Sequence, residues 1–166
     1  MTDRPARQSA APYGPLSAFG LAIVIGTVVL DQLAKWAAEA WLPYGQPIDL
    51  LPILTFLRTY NAGIAFSLFR DSGALSLILL TAAISVVVLL VWWRAREESH
   101  LAAAGYALII GGALGNLVDR VFRGHVIDFL LLHLGDWNLF VFNLADAALT
   151  LGPAILIAVF LFRRPS

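Results

Sequence analysis

Four apolar runs constrain this chain more than any other feature. They cover about residues 16–38, 74–93, 101–119 and 144–162. Coiled as a helix, each is about long enough to cross roughly 30 Å of hydrocarbon. Helices are the expected form, because a segment in lipid must satisfy its own backbone hydrogen bonds. The chain is 60% hydrophobic and 13% charged, against about half and about a quarter in soluble domains, and the excess is gathered into these blocks. The sequence predicts an all-α membrane protein: four transmembrane helices with a small outer-surface β-type segment between helices 1 and 2. Its formal net charge is zero, which argues against a nucleic-acid partner, since that demands a basic face. It has no cysteine, so disulfides, thiolate chemistry, iron–sulfur clusters and cysteine-based zinc sites are excluded.

Residues 1–15 are polar and rich in Pro and Ala, and are expected to form a disordered cytoplasmic tail. Residues 16–162 are expected to form one domain. The first run follows Arg4 and Arg7 and ends near small residues at 38–40, as a cleaved leader would. It is longer than a leader's apolar core and carries Asp31 and Lys35, so a retained anchor is expected. Four crossings put both termini on one side. Arg4, Arg7, Arg94, Arg96, Arg163 and Arg164 flank the helices there, which predicts cytoplasmic termini.

Two connections then face outward. Residues 39–73 mix short apolar stretches with Pro47, Pro52 and Gly63, which predicts strands and turns lying on the membrane surface. Trp41, Tyr44, Phe56, Tyr60, Phe66 and Phe69 suit that interface. Residues 120–143 are also apolar, and HVIDFLLLHL within them reads equally as a strand or a short interfacial helix.

Ionisable residues in such segments are costly and raise a functional hypothesis. In the third run Gly112, Asn116, Asp119 and Arg120 share one stripe, and Gly111, Gly112 and Gly115 permit close helix approach. A tight interface with an Arg/Asp pair at the water boundary explains them equally. In the fourth run Asn143, Asp146 and Thr150 share a face, and Asp146 also suits a helix N-terminus. Asp128 has apolar neighbours on both sides and only His125 as a local partner. Asp31 and Lys35 form an i,i+4 pair, read most simply as an ion pair at the membrane edge. Asn61 and Gly63 are generic turn chemistry.

Elimination narrows the chemistry. His100, His125 and His133 do not form a zinc-protease motif, and no nucleophile-elbow serine is present. A Ser–Lys pair would have to join Lys35, the only lysine, to Ser67 or Ser72. Carboxylates remain. Two close aspartates cannot both ionise easily, so one keeps a proton while the other acts as base. Such a pair hydrolyses a peptide bond with no metal and no cofactor. A proton or ion translocator is the rival use of paired membrane aspartates. A non-catalytic membrane scaffold is the other.

The motifs DQLAK at 31–35, NAGIAFS at 61–67, GGALGNLVDR at 111–120, GHVIDF at 124–129 and FNLADAALTLG at 142–152 stand in order among the four runs. In this combination the chain, over about residues 20–162, resembles the lipoprotein signal peptidases (signal peptidase II), bacterial membrane aspartic proteases that process prolipoproteins. The resemblance implies that Asp128 and Asp146 are the catalytic dyad. It implies supporting or substrate-binding places for Asn61, Gly63, Asn116, Asp119, Arg120, Asn143, Asp31, Lys35 and Gly112. It implies diacylglyceryl-modified prolipoprotein signal peptides as substrates, cut just before the lipidated cysteine. It also implies the bacterial inner membrane and an active site near the outer face. A monomer is expected, and residues 39–73 are expected to close over substrate as a lid, with Gly63 and Gly73 as hinges.

Overall fold

The computed structural model describes residues 13–63, 73–95 and 99–162. The expected tail at 1–12 lies outside them. So do Phe66, Ser67, Phe69 and Ser72, in the stretch 64–72 of the expected lid. Among the described residues, four helices are long and apolar enough to cross a membrane. They are α1 (Ala18–Trp41), α2 (Gly73–Ala95), α3 (His100–Arg123) and α4 (Leu144–Phe162). Serine side chains cap two of them: Ser17 accepts from the Gly20 N–H and Ser99 from the Ala102 N–H, satisfying donors that a helix start leaves free.

Helix α3 is the centre of the bundle. Over half of its apolar window is buried, while α1, α2 and α4 bury less than a fifth of theirs. The outer helices expose Leu30, Leu33, Val87, Leu90, Ile157 and Phe160, as lipid-facing surfaces do. Small residues let α4 lie close against α3. A methyl on Gly152 would stand 2.7 Å from the Gly105 carbonyl oxygen, and one on Gly112 would stand 2.5 Å from the Ala145 carbonyl oxygen. At the end of the bundle where α1 begins and α4 ends, Trp92 is buried against Ala103, Ala107 and Ile110. It stacks on Tyr106 and donates its indole N–H to the Tyr13 carbonyl at 3.0 Å. Tyr13 and Gly14, within the stretch that composition assigned to a tail, thus make contacts with the bundle.

The opposite end carries an antiparallel sheet, larger than the sequence predicted. Its strands are β1 (Ile48–Leu51), β2 (Leu54–Asn61), β3 (Val126–Leu134) and β4 (Trp137–Phe142), in that spatial order. The α3–α4 connection thus supplies half of it. HVIDFLLLHL becomes the inner strand β3, because β2 and β4 satisfy its backbone on both edges. Gly124 makes this possible. At φ 77° it takes the left-handed conformation, closes α3 with a bond to the Arg120 carbonyl, and turns the chain into β3. Residues 120–123, expected in the connection, complete the helix.

The α3–α4 contact gives a first testable consequence. The Ala145 carbonyl facing Gly112 is backbone at the start of α4, so it cannot swing aside. Gly112→Ala is expected to cost about 1–3 kcal/mol through overpacking and to push the first turn of α4 away from Asn116. Thermal unfolding in detergent checks this, and a melting temperature equal to that of the parent would refute it.

Candidate active site

Three chain segments converge where α3 ends, α4 begins and β3 starts. Asp128 is the third residue of β3, opposite Thr59 of β2, and is only 3% exposed. Asp146 lies in the first turn of α4. Between them stands Asn143, wholly buried. Its side-chain oxygen accepts the Asp146 N–H at 2.9 Å, and its own backbone N–H donates to the Asp146 carboxylate at 3.3 Å. This reciprocal cap closes the start of α4. Its side-chain amide then donates to Asp128 at 2.7 Å and to the Asn116 side-chain oxygen at 3.1 Å. Asn116 in turn donates to Asp146 at 2.7 Å. Two asparagines therefore bridge the two carboxylates.

Strand β2 completes this front. Asn61 donates to the second oxygen of Asp128 at 3.1 Å, and its own oxygen accepts the Gly63 N–H at 2.9 Å. Arg120 donates to the Gly63 carbonyl at 3.0 Å, which ties the end of β2 to α3. The Nε of Arg120 is buried with no partner among the described residues, a cation with an unused donor beside two carboxylates.

Behind the front lies a second layer. Lys35 reaches Asp31 at 2.8 Å, Asp119 at 2.9 Å and the Asn116 oxygen at 2.9 Å, using all three of its ammonium hydrogens. Asp31, Lys35 and Asp119 are fully buried. The Asp31–Lys35 ion pair expected from the i,i+4 spacing is present, and the face that carries it turns toward α3. Asp31 also accepts the Ala145 N–H at 2.9 Å, capping α4 from another helix. A methyl on Gly115 would lie 2.7 Å from that carboxylate. Asp119 holds the Ile127 N–H at 3.2 Å, one residue before Asp128.

All eleven residues singled out in the sequence thus fall in this region. One local expectation fails. His125 does not pair with Asp128; it packs against Tyr60, with ring centroids 4.2 Å apart. Two participants were missed. Gln32 donates to Asp119 at 3.0 Å and to the Gly115 carbonyl at 3.1 Å, and Arg123 donates to Asp119 at 2.6 Å and to the Gln32 oxygen at 3.2 Å. Both carried a signal: Gln32 adjoins Asp31, and Arg123 follows Asp119 by four residues.

The electrostatics favour a carboxyl that holds a proton near neutrality. Burial, then the negative charge of Asp146, push Asp128 up from the usual carboxylate range to about 7, against the hydrogen bonds from Asn61 and Asn143 and the charge of Lys35. Lys35 is engaged by three acceptors, and Ser67 and Ser72, the serines a Ser–Lys pair would need, lie outside the described residues. Among the described residues, no three His, Asp or Glu side chains are grouped as metal ligands would be.

Comparison with known proteins bears on this arrangement. The family described as signal peptidase (SPase) II matches residues 23–162. Curated lipoprotein signal peptidases of Brucella ovis and Brucella canis are each 48% identical over 140 residues, covering 82% of this chain and 86% of theirs. Two solved bacterial membrane enzymes share the fold at 23% identity. One has a TM-score of 0.80 and covers 89% of this chain and 90% of its own; the other has 0.79 and covers 91% and 97%. The family match over most of the length, with the identity to these relatives, shows that the chain belongs to the signal peptidase II family and is a membrane protease.

Proposed function

We propose that this chain removes signal peptides from prolipoproteins, cutting just before the diacylglyceryl-modified cysteine, with Asp128 and Asp146 as a water-activating dyad. The observation that carries the reading is the Asn143 bridge. One residue caps the helix that bears Asp146 and donates at 2.7 Å to Asp128, so a buried and a half-buried carboxylate from different elements are fixed around one point. Asp119 is a poorer candidate, because both its oxygens are occupied by Lys35, Gln32, Arg123 and the Ile127 N–H.

The chemistry follows from a pair that shares one proton. The ionised aspartate takes a proton from water as the water oxygen attacks the scissile carbonyl carbon. The protonated aspartate hydrogen-bonds the carbonyl oxygen. On collapse of the tetrahedral intermediate, the carbon–nitrogen bond breaks and the leaving amine takes a proton from the dyad. The products are a signal peptide ending in a carboxyl and a lipoprotein beginning with the modified cysteine. Arg120 and Asn61 are the candidates to hydrogen-bond the substrate backbone; Asn61 touches Asp128, and Arg120 holds the Gly63 carbonyl beside it. The substrate's apolar helix reaches the site sideways through lipid. The site lies at the sheet end of the bundle, opposite the termini. With cytoplasmic termini in a bacterial inner membrane, that end is the outer face. The enzyme acts as a monomer, as one domain over residues 16–162.

The test is cleavage of a synthetic signal peptide bearing diacylglyceryl-cysteine in detergent micelles, without added metal. Cleavage before the lipidated cysteine is expected, and a well-folded enzyme that leaves the peptide intact would sink the proposal. The pH profile is expected to be bell-shaped. A carboxyl titrating at about 7 loses its proton above that pH, so the alkaline limb reports loss of the shared proton. Below the acid limb both carboxyls are protonated and no base remains. A rate still rising above pH 9 would contradict this.

A further inference from the structure

The second layer contains more buried anion than buried cation. Asp31 and Asp119 are both fully buried, and among the described residues Lys35 is the one cation in contact with both. One lysine balances one carboxylate. Arg123, four residues beyond Asp119, supplies the second positive charge from a partly exposed position, at 2.6 Å. Gln32 fixes this contact by accepting from Arg123 while donating to Asp119. An exposed i,i+4 ion pair is worth little. This one is different, because its carboxylate is wholly buried and an unbalanced charge there is costly.

Asp119 then acts on the dyad from two sides. One of its oxygens, Oδ2, takes both Lys35 and the Ile127 N–H. Lys35 fills the Asn116 oxygen, which obliges the Asn116 amide to face Asp146. Ile127 is the residue before Asp128, and its carbonyl faces the Asn143 amide at 3.4 Å. Arg123 binds the other oxygen, Oδ1, at 2.6 Å, lies farther from the Glu39 carboxylate, at 3.8 Å, and makes no ion pair with Asp128 or Asp146 among the described residues. We propose that Arg123 is a positioning residue for the dyad: by neutralising Asp119, it lets one lysine serve both buried carboxylates and hold Asn116 in line. Without it, Asp119 competes with Asp31 and Asn116 for Lys35, and an uncompensated negative charge stands behind the reacting pair.

This rests on the dyad reading above, so the experiment uses one readout that depends on cleavage and one that does not. Arg123→Gln and Arg123→Lys are compared with the parent in detergent. Arg123→Gln is expected to lower kcat about tenfold with KM little changed and to move the alkaline limb of the pH profile upward. Arg123→Lys, which keeps the charge, restores most of both. Independently of turnover, the titration of Asp128 followed by carbon-13 NMR is expected to move up by about half a unit in Arg123→Gln and back in Arg123→Lys. Unchanged kcat and pH profile in Arg123→Gln, or a lysine variant as impaired as the glutamine one, would overturn the proposal. If the parent itself does not cleave, the functional reading falls, and the Asp128 titration alone decides whether Arg123 acts on the dyad.

Discussion

Asp128→Asn and Asp146→Asn are each expected to reduce cleavage by at least about a thousand-fold while leaving the fold intact. Loss of general acid or base catalysis alone costs about 100- to 10,000-fold, and here each change also ends proton sharing within the pair. Asparagine keeps the shape of the side chain and one acceptor. Asn143 can still cap α4, since its cap bond to the Asp146 N–H uses backbone. The stability of the Asp128 variant provides a control with a definite sign. A carboxyl raised to about 7 when folded, against roughly 3.9 when unfolded, contributes stability that is fully present below about pH 4. That stability is lost as the pH rises through about 7. The wild type is therefore expected to lose stability across this window, and Asp128→Asn to lack that dependence. Residual activity above a few per cent in either variant, measured on folded protein, would remove that residue from the dyad and bring Asp119 forward.

The sequence disclosed the bundle because lipid leaves the backbone few options. The run at 144–162 and helix α4 coincide, and the other three differ from their helices only at the ends. The sheet was half visible. Proline, glycine and short apolar stretches marked β1 and β2, but VIDFLLLHL has no alternation, because the start of β3 is buried on both faces. Its identity as a strand depends on β2, more than sixty residues away. The candidate site divides in the same manner. Spacing put Asn143 and Asp146 on one turn, and Asp31 and Lys35 on one face. What those faces meet is a tertiary fact. Spacing did not reveal that the Asn143 amide reaches Asp128, that Asp31 caps α4, or that Asp119 is occupied by four donors. The choice of Asp128 and Asp146 over Asp119 came from the family resemblance alone, and the hydrogen bonding of Asp119 now supplies an independent physical reason to prefer it.

Lys35→Met is expected to be the most destabilising single change at this end of the molecule. Methionine matches the lysine stem in volume, so the cost is electrostatic rather than steric. The ammonium contacts Asp31 at 2.8 Å, Asp119 at 2.9 Å and the Asn116 oxygen at 2.9 Å. Its removal leaves two buried carboxylates with Arg123 as the one cation among the described residues in contact with either. Breaking a single buried pair by removing one partner costs about 3–5 kcal/mol, and this change breaks two. Protonation of a carboxylate would relieve part of the cost, so the defect is expected to shrink at low pH. Removing both sides of the interaction should be milder, because no buried charge is then stranded. Lys35→Met combined with Asp31→Asn is therefore expected to recover part of the lost stability. It should recover little activity, since Asn116 still lacks the donor that orients it toward Asp146. Thermal unfolding in detergent at pH 5 and pH 8, with cleavage measured on the same samples, separates these effects. A single variant as stable as the parent at pH 8 would mean that the lysine is not the counter-charge its contacts describe. A double variant less stable than the single one would assign the loss to Asp31's cap on the Ala145 N–H rather than to stranded charge.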